Sequence, residues 1–331
     1  MEKHAKIYVA GHRGLVGSAI VRSLRAEDYA NICVRSHAEL DLTDQARTAN
    51  FFASEKPAYV FLAAARTGGI LANNSYPAEF IRDNIAIQSN FIHAAYLSGV
   101  TRLILLSSSC VYPRLVTQPI RERYLLSGPL EPTNRPYALA KIAGIEMCWS
   151  YNRQYRTRYI AVMPSNLYGP GDNYDLNSGH VIPALIRKCH EAKMRGDRHV
   201  VVWGTGKPRR EFLYSDDLGH ACVSLMKLPD RIFEGLLGSD EAVSGLFEPP
   251  IINIGLGEDV TIEELATLVM RVVGFRGKIV FDATKPDGTP RKLLDVSRLN
   301  AIGWRARTSL QAGLAQSYAD FLRSDAAAIS S

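Results

Sequence analysis

Short apolar runs punctuate the first half of the chain, and between them apolar positions recur at helical spacing. Lys6 to Ala10, Asn31 to Arg35, Ala58 to Ala65 and Arg102 to Leu106 are apolar over most of their length, the pattern of strands buried on both faces. Glu39 to Asp44 reads as a further short strand, and 66–74 as a loop after the third long run. Asp83 to Leu97 carries apolar residues at helical spacing and stops at Ser98-Gly99, with His93 as a packing residue in that helix. Pro136 can occupy the first turn of a second long helix. Strand and helix thus alternate up to Asn152, which predicts an α/β fold with a doubly wound parallel sheet.

Beyond Gly171 the composition is richer in charge and predicts a smaller C-terminal α/β unit. Its expected parts are a helix from Val181, a strand over 200–203 and a loop-like stretch from Pro229 to Pro250 without an assigned function. Pro250 to Gly255 reads as a strand returning to the first sheet. Thr261 to Glu264 is a capping box, Lys285 to Pro290 a turn, and Thr308 to Gln311 caps the last helix.

Composition narrows the class. The 331 residues are 47% hydrophobic, ample for a sizeable core. The net charge of +6 is spread over single lysines and arginines without a basic run, which suits small anionic ligands such as phosphorylated molecules and excludes a nucleic-acid partner. Five cysteines without a CxxC or zinc spacing predict reduced thiols, no metal site and a cytoplasmic setting. No stretch approaches the roughly 20 apolar residues of a membrane span, so a soluble protein is expected.

Candidate chemistry falls where strands end. The first strand runs into Gly11, His12, Arg13, Gly14, Leu15, Val16 and Gly17. These glycines permit a tight turn, close approach of a pyrophosphate and close helix packing, the opening of a dinucleotide site. The residue ending the second strand is Arg35, where an acidic residue would select NAD. Arg35 with Arg13 can pair with a 2′-phosphate, favouring NADP(H). Asp41 can accept from an adenine amino group or cap a helix. The fourth strand delivers Ser108, Ser109 and Cys110 to its carboxyl edge, where open α/β sheets bind ligands. Tyr137 and Lys141 share one helical face, and the cation is expected to ease ionisation of the phenol. Serine, tyrosine and lysine together suit carbonyl reduction.

GxxGxxG, the Ser-rich strand end and Tyr137-x-x-x-Lys141 resemble the extended short-chain dehydrogenase/reductase superfamily, with its Rossmann-type sheet. More narrowly, Ser-Ser-Cys110-Val-Tyr-Pro, Glu131 to Gly144, Pro164-Ser-Asn-Leu-Tyr-Gly-Pro, His180-Val-Ile-Pro and Lys285 to Asp295 resemble the GDP-L-fucose synthase family, nearly end to end. The resemblance implies epimerisation of GDP-4-keto-6-deoxy-D-mannose at C3 and C5, then reduction at C4 by NADPH. It implies Ser108, Tyr137 and Lys141 for reduction and Cys110 with His180 as the epimerising acid/base pair. The residues do not order those two roles, and Cys110 is taken as base and His180 as acid. Leu42, Leu106, Ser107, Pro164, Ser165, Asn166, Leu167 and His180 join the cofactor site by resemblance. Lys188, Trp203, Arg210 and Asp287 become contacts to the GDP-sugar, Lys188 standing where many relatives have arginine. Residues 1–170 then form the NADP(H)-binding domain, with about 211–228 and 251–256 returning to it, and 171–331 mainly the substrate domain. Relatives dimerise through paired helices of the nucleotide domain, so a homodimer is expected.

Taken singly, each residue has a plain structural use: Cys110 and Trp203 as core packing, His180 as a helix cap, Arg13, Arg35 and Lys188 as solvated charges. Other activities stay open on these residues: a sister epimerase/reductase making a 3,6-dideoxy sugar such as colitose, a 4-epimerase retaining NAD, or a non-catalytic NADP(H)-binding protein.

Overall fold

A computed structural model describes residues 1–176, 179–238, 248–285 and 287–329. Strands β1 (Ile7–Ala10), β3 (Tyr59–Leu62), β4 (Arg102–Leu106) and β5 (Tyr159–Pro164) are buried at every position, as their apolar runs require. β2 is only Ile32–Cys33. The stretch 39–44 is not a strand. The Ser36 main-chain N–H and hydroxyl donate to Glu39, and the Thr43 N–H and hydroxyl donate to Asp41, so short polar side chains satisfy the backbone that a ladder would have used.

The helices between these strands are α1 (Leu15–Ala26), α2 (Gln45–Glu55, capped by Asp44), α3 (Ile70–Ser75), α4 (Pro77–Leu97) and α5 (Arg135–Tyr155). Two of these differ from expectation. α3 occupies part of the predicted loop, and α4 begins at Pro77, whose preset φ suits a first turn. His93 is exposed on α4, bonded to the Tyr151 hydroxyl at 2.8 Å, and so is a surface residue.

The remaining elements are β6 (Asn166–Tyr168), α6 (Val181–Arg195), β7 (His199–Trp203), β8 (Arg209–Arg210), β9 (Phe212–Tyr214), α7 (Ser215–Lys227), α8 (Asp230–Glu234), β10 (Ile251–Ile254), β11 (Val260–Thr261), α9 (Ile262–Val273), β12 (Lys278–Asp282), β13 (Arg291–Lys292), α10 (Ser297–Ala301) and α11 (Leu310–Ile329). The 229–250 stretch therefore includes a short helix, and 239–247 lie outside the described residues, as does Pro286 of the predicted turn. Thr261 and Glu264 form the predicted capping box, whereas at α11 it is the Ser309 hydroxyl, one residue beyond Thr308, that accepts from Ala312.

The main sheet has the order β10-β5-β4-β3-β1-β2, parallel throughout, with Ile254 opposite Pro164 at the returning strand. Period-two alternation divides its side chains. Tyr8 and Ala10 join a core with Phe51, Phe52, Phe91 and Ile145 from α2, α4 and α5. Ile7 and Val9 join a second core with Ile20 of α1 and Leu218 of α7. The α1–α7 contact is so close that a Cβ on Gly219 would lie 2.5 Å from the Ala19 carbonyl oxygen. A third core gathers α6, β7, β9, α9 and α11. Helices thus cover both faces of the sheet and leave its carboxyl edge open. Among the described residues no helix is long and apolar enough to cross a membrane.

Candidate active site

A cavity of about 1270 Å³ runs along that carboxyl edge. Its nucleotide end is built by the turn after β1. Gly11 adopts φ +81°, and a Cβ there would meet the Ala64 main-chain nitrogen at 2.7 Å, so only glycine fits beside β3. A Cβ on Gly17 would lie 2.1 Å from the Gly11 carbonyl oxygen, so α1 packs directly on the turn. His12, Arg13, Gly14, Leu15 and Val16 complete this wall, and Arg35, Asp41 and Leu42 close the end. Arg35 is already engaged: its guanidinium donates to the Val34 carbonyl at 2.8 Å and to Glu55 at 2.5 Å.

The middle of the cavity is formed where β4 and β5 end. Leu106, Ser107, Ser108 and Cys110 come from the first, Pro164, Ser165, Asn166 and Leu167 from the second. After Ser108 the chain turns into a single 3-10 turn, with the Cys110 N–H donating to the Ser108 hydroxyl oxygen at 3.3 Å. Tyr137 and Lys141 face the same space from α5, and His180 enters from the N-terminus of α6, where its side chain makes no cap. All predicted catalytic and cofactor residues therefore line one cavity.

Lys141 is buried, its Nζ donating to the Leu106 carbonyl at 2.8 Å and lying 5.8 Å from the centre of the Tyr137 ring. Burial lowers its pKa to about 8. Burial also raises the Tyr137 phenol far above its usual range, with Cys110 adding to the rise. This corrects the expectation of an easily ionised phenol: desolvation outweighs the nearby ammonium. The same holds for Cys110, whose thiol is raised by burial and drawn back by Lys292, the Ser108 hydrogen bond and Lys141, in that order. Burial lowers His180. By surface exposure Cys110 and Tyr137 are half-buried and His180 is exposed at the cavity mouth, while the concave wall around all three disfavours their charged forms.

Lys188, Trp203, Arg210 and Asp287 do not line this cavity but gather beside it. The Trp203 ring is two-thirds exposed, with Lys285 at 5.5 Å and Lys188 at 6.0 Å from its centre. Asp287 accepts from the Thr205 N–H at 2.9 Å and hydroxyl at 2.6 Å. Burial lowers Arg210, and Asp287 opposes that shift. Pairing of β8 with β13 places Arg210 opposite Lys292, which does line the cavity, so this pair joins the two regions. Lys292 and Asn134 are among the lining residues that sequence reasoning missed. Lys292 sits in an unremarkable Arg-Lys-Leu-Leu run, whereas Asn134, three residues before Tyr137, carried a positional hint.

The cavity fits a dinucleotide. The glycine turn leaves no room for side chains, and the wall carries buried polar atoms without protein partners: His12 Nδ1, Ser107 Oγ, Ser165 Oγ and Asn134 Oδ1. Among the described residues no cluster of histidine, cysteine or carboxylate groups could hold a metal.

An α/β chain with this glycine turn and a Ser/Tyr/Lys trio at the sheet edge defines a nucleotide-dependent oxidoreductase or epimerase. The chain belongs to the NAD dependent epimerase/dehydratase family, whose model matches residues 7–244. It is 55% identical to "Putative GDP-L-fucose synthase 2" of Arabidopsis thaliana, over 97% of this chain and 93% of that one. It is 52% identical to "GDP-L-fucose synthase" of Escherichia coli (strain K12), over 96% of each. A solved GDP-L-fucose synthetase from Naegleria fowleri bound to NADP matches with a TM-score of 0.86 at 27% identity, over 98% of this chain and 95% of that one.

Proposed function

We propose that this chain is an NADPH-dependent GDP-L-fucose synthase that epimerises GDP-4-keto-6-deoxy-D-mannose at C3 and C5 and reduces the C4 ketone. The observation that carries this is that Ser108, Tyr137 and Lys141, a set suited to carbonyl reduction, line one cavity with Cys110 and His180, a pair suited to acid/base exchange. High identity to curated fucose synthases over nearly the full length supports the same substrate.

The 4-ketone acidifies the hydrogens on C3 and C5. Cys110, as thiolate, takes one of them, and the enolate oxygen is held by the hydroxyls of Ser108 and Tyr137. His180, as imidazolium, returns a proton to the opposite face of that carbon, which inverts the centre. The thiol passes its proton back to the imidazole before the second carbon reacts. Charging the pair works against its burial, and Lys292 is the cation that most favours the thiolate. In the final step Tyr137 gives its phenolic proton to the C4 oxygen, and Lys141 holds the resulting phenolate. Bound NADPH supplies the hydride. Its pyrophosphate is assigned to the Gly11–Gly17 turn and its 2′-phosphate to Arg13 and Arg35. The GDP moiety is assigned to Lys188, Trp203, Arg210 and Asp287.

Residues 1–170 with 211–228 and 251–256 are assigned to the cofactor domain and 171–331 mainly to the substrate domain, as the return of β10 to the sheet and the packing of α7 on α1 support. A homodimer through α4 and α5 is supported by exposed Ile85, Leu97 and Leu139 and by the ring cluster of Tyr96, Tyr151 and Tyr155. The cysteines, all free thiols, support a cytoplasmic location.

The deciding experiment incubates the protein with GDP-4-keto-6-deoxy-D-mannose and NADPH in D2O and analyses the product by NMR. GDP-L-fucose with deuterium at C3 and C5 is expected. Reduction without deuterium at either carbon overturns the epimerase assignment, and no NADPH oxidation overturns the whole.

A further inference from the structure

The turn that follows β2 holds an anion of its own. The Glu39 carboxylate accepts from the Ser36 N–H at 2.7 Å and from the Ser36 hydroxyl at 2.6 Å. Ser36 lines the nucleotide end of the cavity together with Arg13, Arg35 and His37. The Ser36 hydrogen bonds, and after them the charges of Arg35 and Arg13, hold its carboxyl below the usual range. A carboxylate therefore already holds one main-chain N–H and one hydroxyl that an incoming phosphate would use, at the end of the cavity that Arg13 and Arg35 line. The end of the second strand is where a dinucleotide sheet meets the ribose 2′ substituent.

We infer that Glu39 is a built-in competitor for the 2′-phosphate of NADP(H), occupying the Ser36 donors until the cofactor displaces it. This rests on the proposed placement of the 2′-phosphate at Arg13 and Arg35. A phosphate and a carboxylate cannot both hold the Ser36 N–H, and two anions beside the same arginines repel. Binding of the phosphorylated ribose therefore breaks two charge-assisted hydrogen bonds and moves a carboxylate out to solvent. Glu39 is exposed, so its side chain is free to leave. A ribose with a plain 2′-hydroxyl brings no second anion and has no need to evict it. Glu39 consequently lowers affinity for NADP(H) without touching NAD(H). It keeps the Ser36 N–H satisfied in the free enzyme and makes cofactor release easier after turnover.

The test is calorimetric titration of the full-length chain at pH 7.5 with adenosine 2′,5′-bisphosphate and, in parallel, with AMP. Glu39→Ala and Glu39→Gln are each expected to bind the bisphosphate about tenfold more tightly than the parent, the scale of one charge-assisted hydrogen bond no longer broken on binding. AMP affinity should stay unchanged. Unchanged or weaker bisphosphate binding in both variants overturns the inference and makes Glu39 a simple turn brace. Arg13→Ala in the parent separates the underlying assumption: it must weaken the bisphosphate and spare AMP. Equal effects on both ligands would mean that the phosphate lies elsewhere, and the inference falls with its premise.

Discussion

Lys141 donates from its ammonium to the main-chain carbonyl of Leu106, at 2.8 Å, at the point where β4 ends and the run Ser107-Ser108-Ser109 begins. This bond ties α5 to the sheet edge and holds a charge beneath the Tyr137 ring. Burial has brought the lysine pKa down to about 8, so the ammonium is charged below that value and is lost as pH rises through it. A group that must be protonated gives a falling alkaline limb. The kcat/KM for reduction should therefore fall about tenfold per pH unit above about 8. A profile that stays flat from pH 7 to 9.5 would detach Lys141 from the chemistry.

Tyr137 is a protonated phenol at any working pH, its ionisation suppressed by burial. That is the form a proton donor needs. Tyr137→Phe should reduce NADPH oxidation by at least about 10³-fold, the upper part of the range for general acid catalysis. Its Kd for NADPH should change little. Turnover near the parent rate would remove Tyr137 from the mechanism.

Cys110 and Lys292 are linked by charge across the cavity, with Lys292 the foremost influence lowering the thiol pKa. Cys110→Ser should suppress solvent deuterium exchange at the sugar while NADPH binding persists. In Lys292→Met the thiol pKa rises further, so alkylation of Cys110 by iodoacetamide at pH 8 should slow about tenfold. An unaltered alkylation rate would show that the ammonium does not reach the thiol.

Arg35 meets the cofactor end of the cavity while bonded to Glu55. Arg35→Ala should raise the KM for NADPH by about 10-fold or more, the scale of a charged hydrogen bond, and leave that for NADH nearly unchanged. Equal shifts for both cofactors would contradict the 2′-phosphate assignment.

Gly144 on α5 lies against Gln88 on α4, where an added Cβ would come within 2.2 Å of the amide oxygen. Gln88 in turn donates to the Ala140 carbonyl at 2.8 Å, one residue before Lys141. Gly144→Ala should destabilise the fold by about 1–3 kcal/mol through overpacking. Adding Gln88→Ala should recover part of that loss in urea unfolding, because it removes the clashing group. Additive losses in the double variant would place the strain elsewhere.

Local signals carried much of this fold. The uniformly apolar runs became β1, β3 and β4, the glycine turn became the wall between β1 and α1, and Tyr137 and Lys141 fell on one face of α5. Errors arose where a side chain could satisfy the backbone in two ways. Ser36, Glu39, Asp41 and Thr43 bond to their own turn, so the predicted strand at 39–44 never forms. Pro77 starts α4 earlier than the apolar spacing suggested. His93 has a helical position that periodicity reads as inward, but its side chain lies at the surface beside Tyr151.

The order of residues alone marked the long buried runs that became β1, β3 and β4, the glycine turn, and the pairing of Tyr137 with Lys141 on one helical face, because those depend on spacing within one turn or one run. The tertiary structure decided what those groups feel. Cys110 and Lys292 come to line one cavity from segments far apart in the chain, where β13 pairs with β8 and sets Arg210 opposite Lys292. Burial, which no stretch of sequence contains, raises the phenol and the thiol and lowers the lysine and the imidazole. Hydration is lost to atoms brought from distant parts of the chain, so the charge state of each titratable group belongs to the assembled cavity.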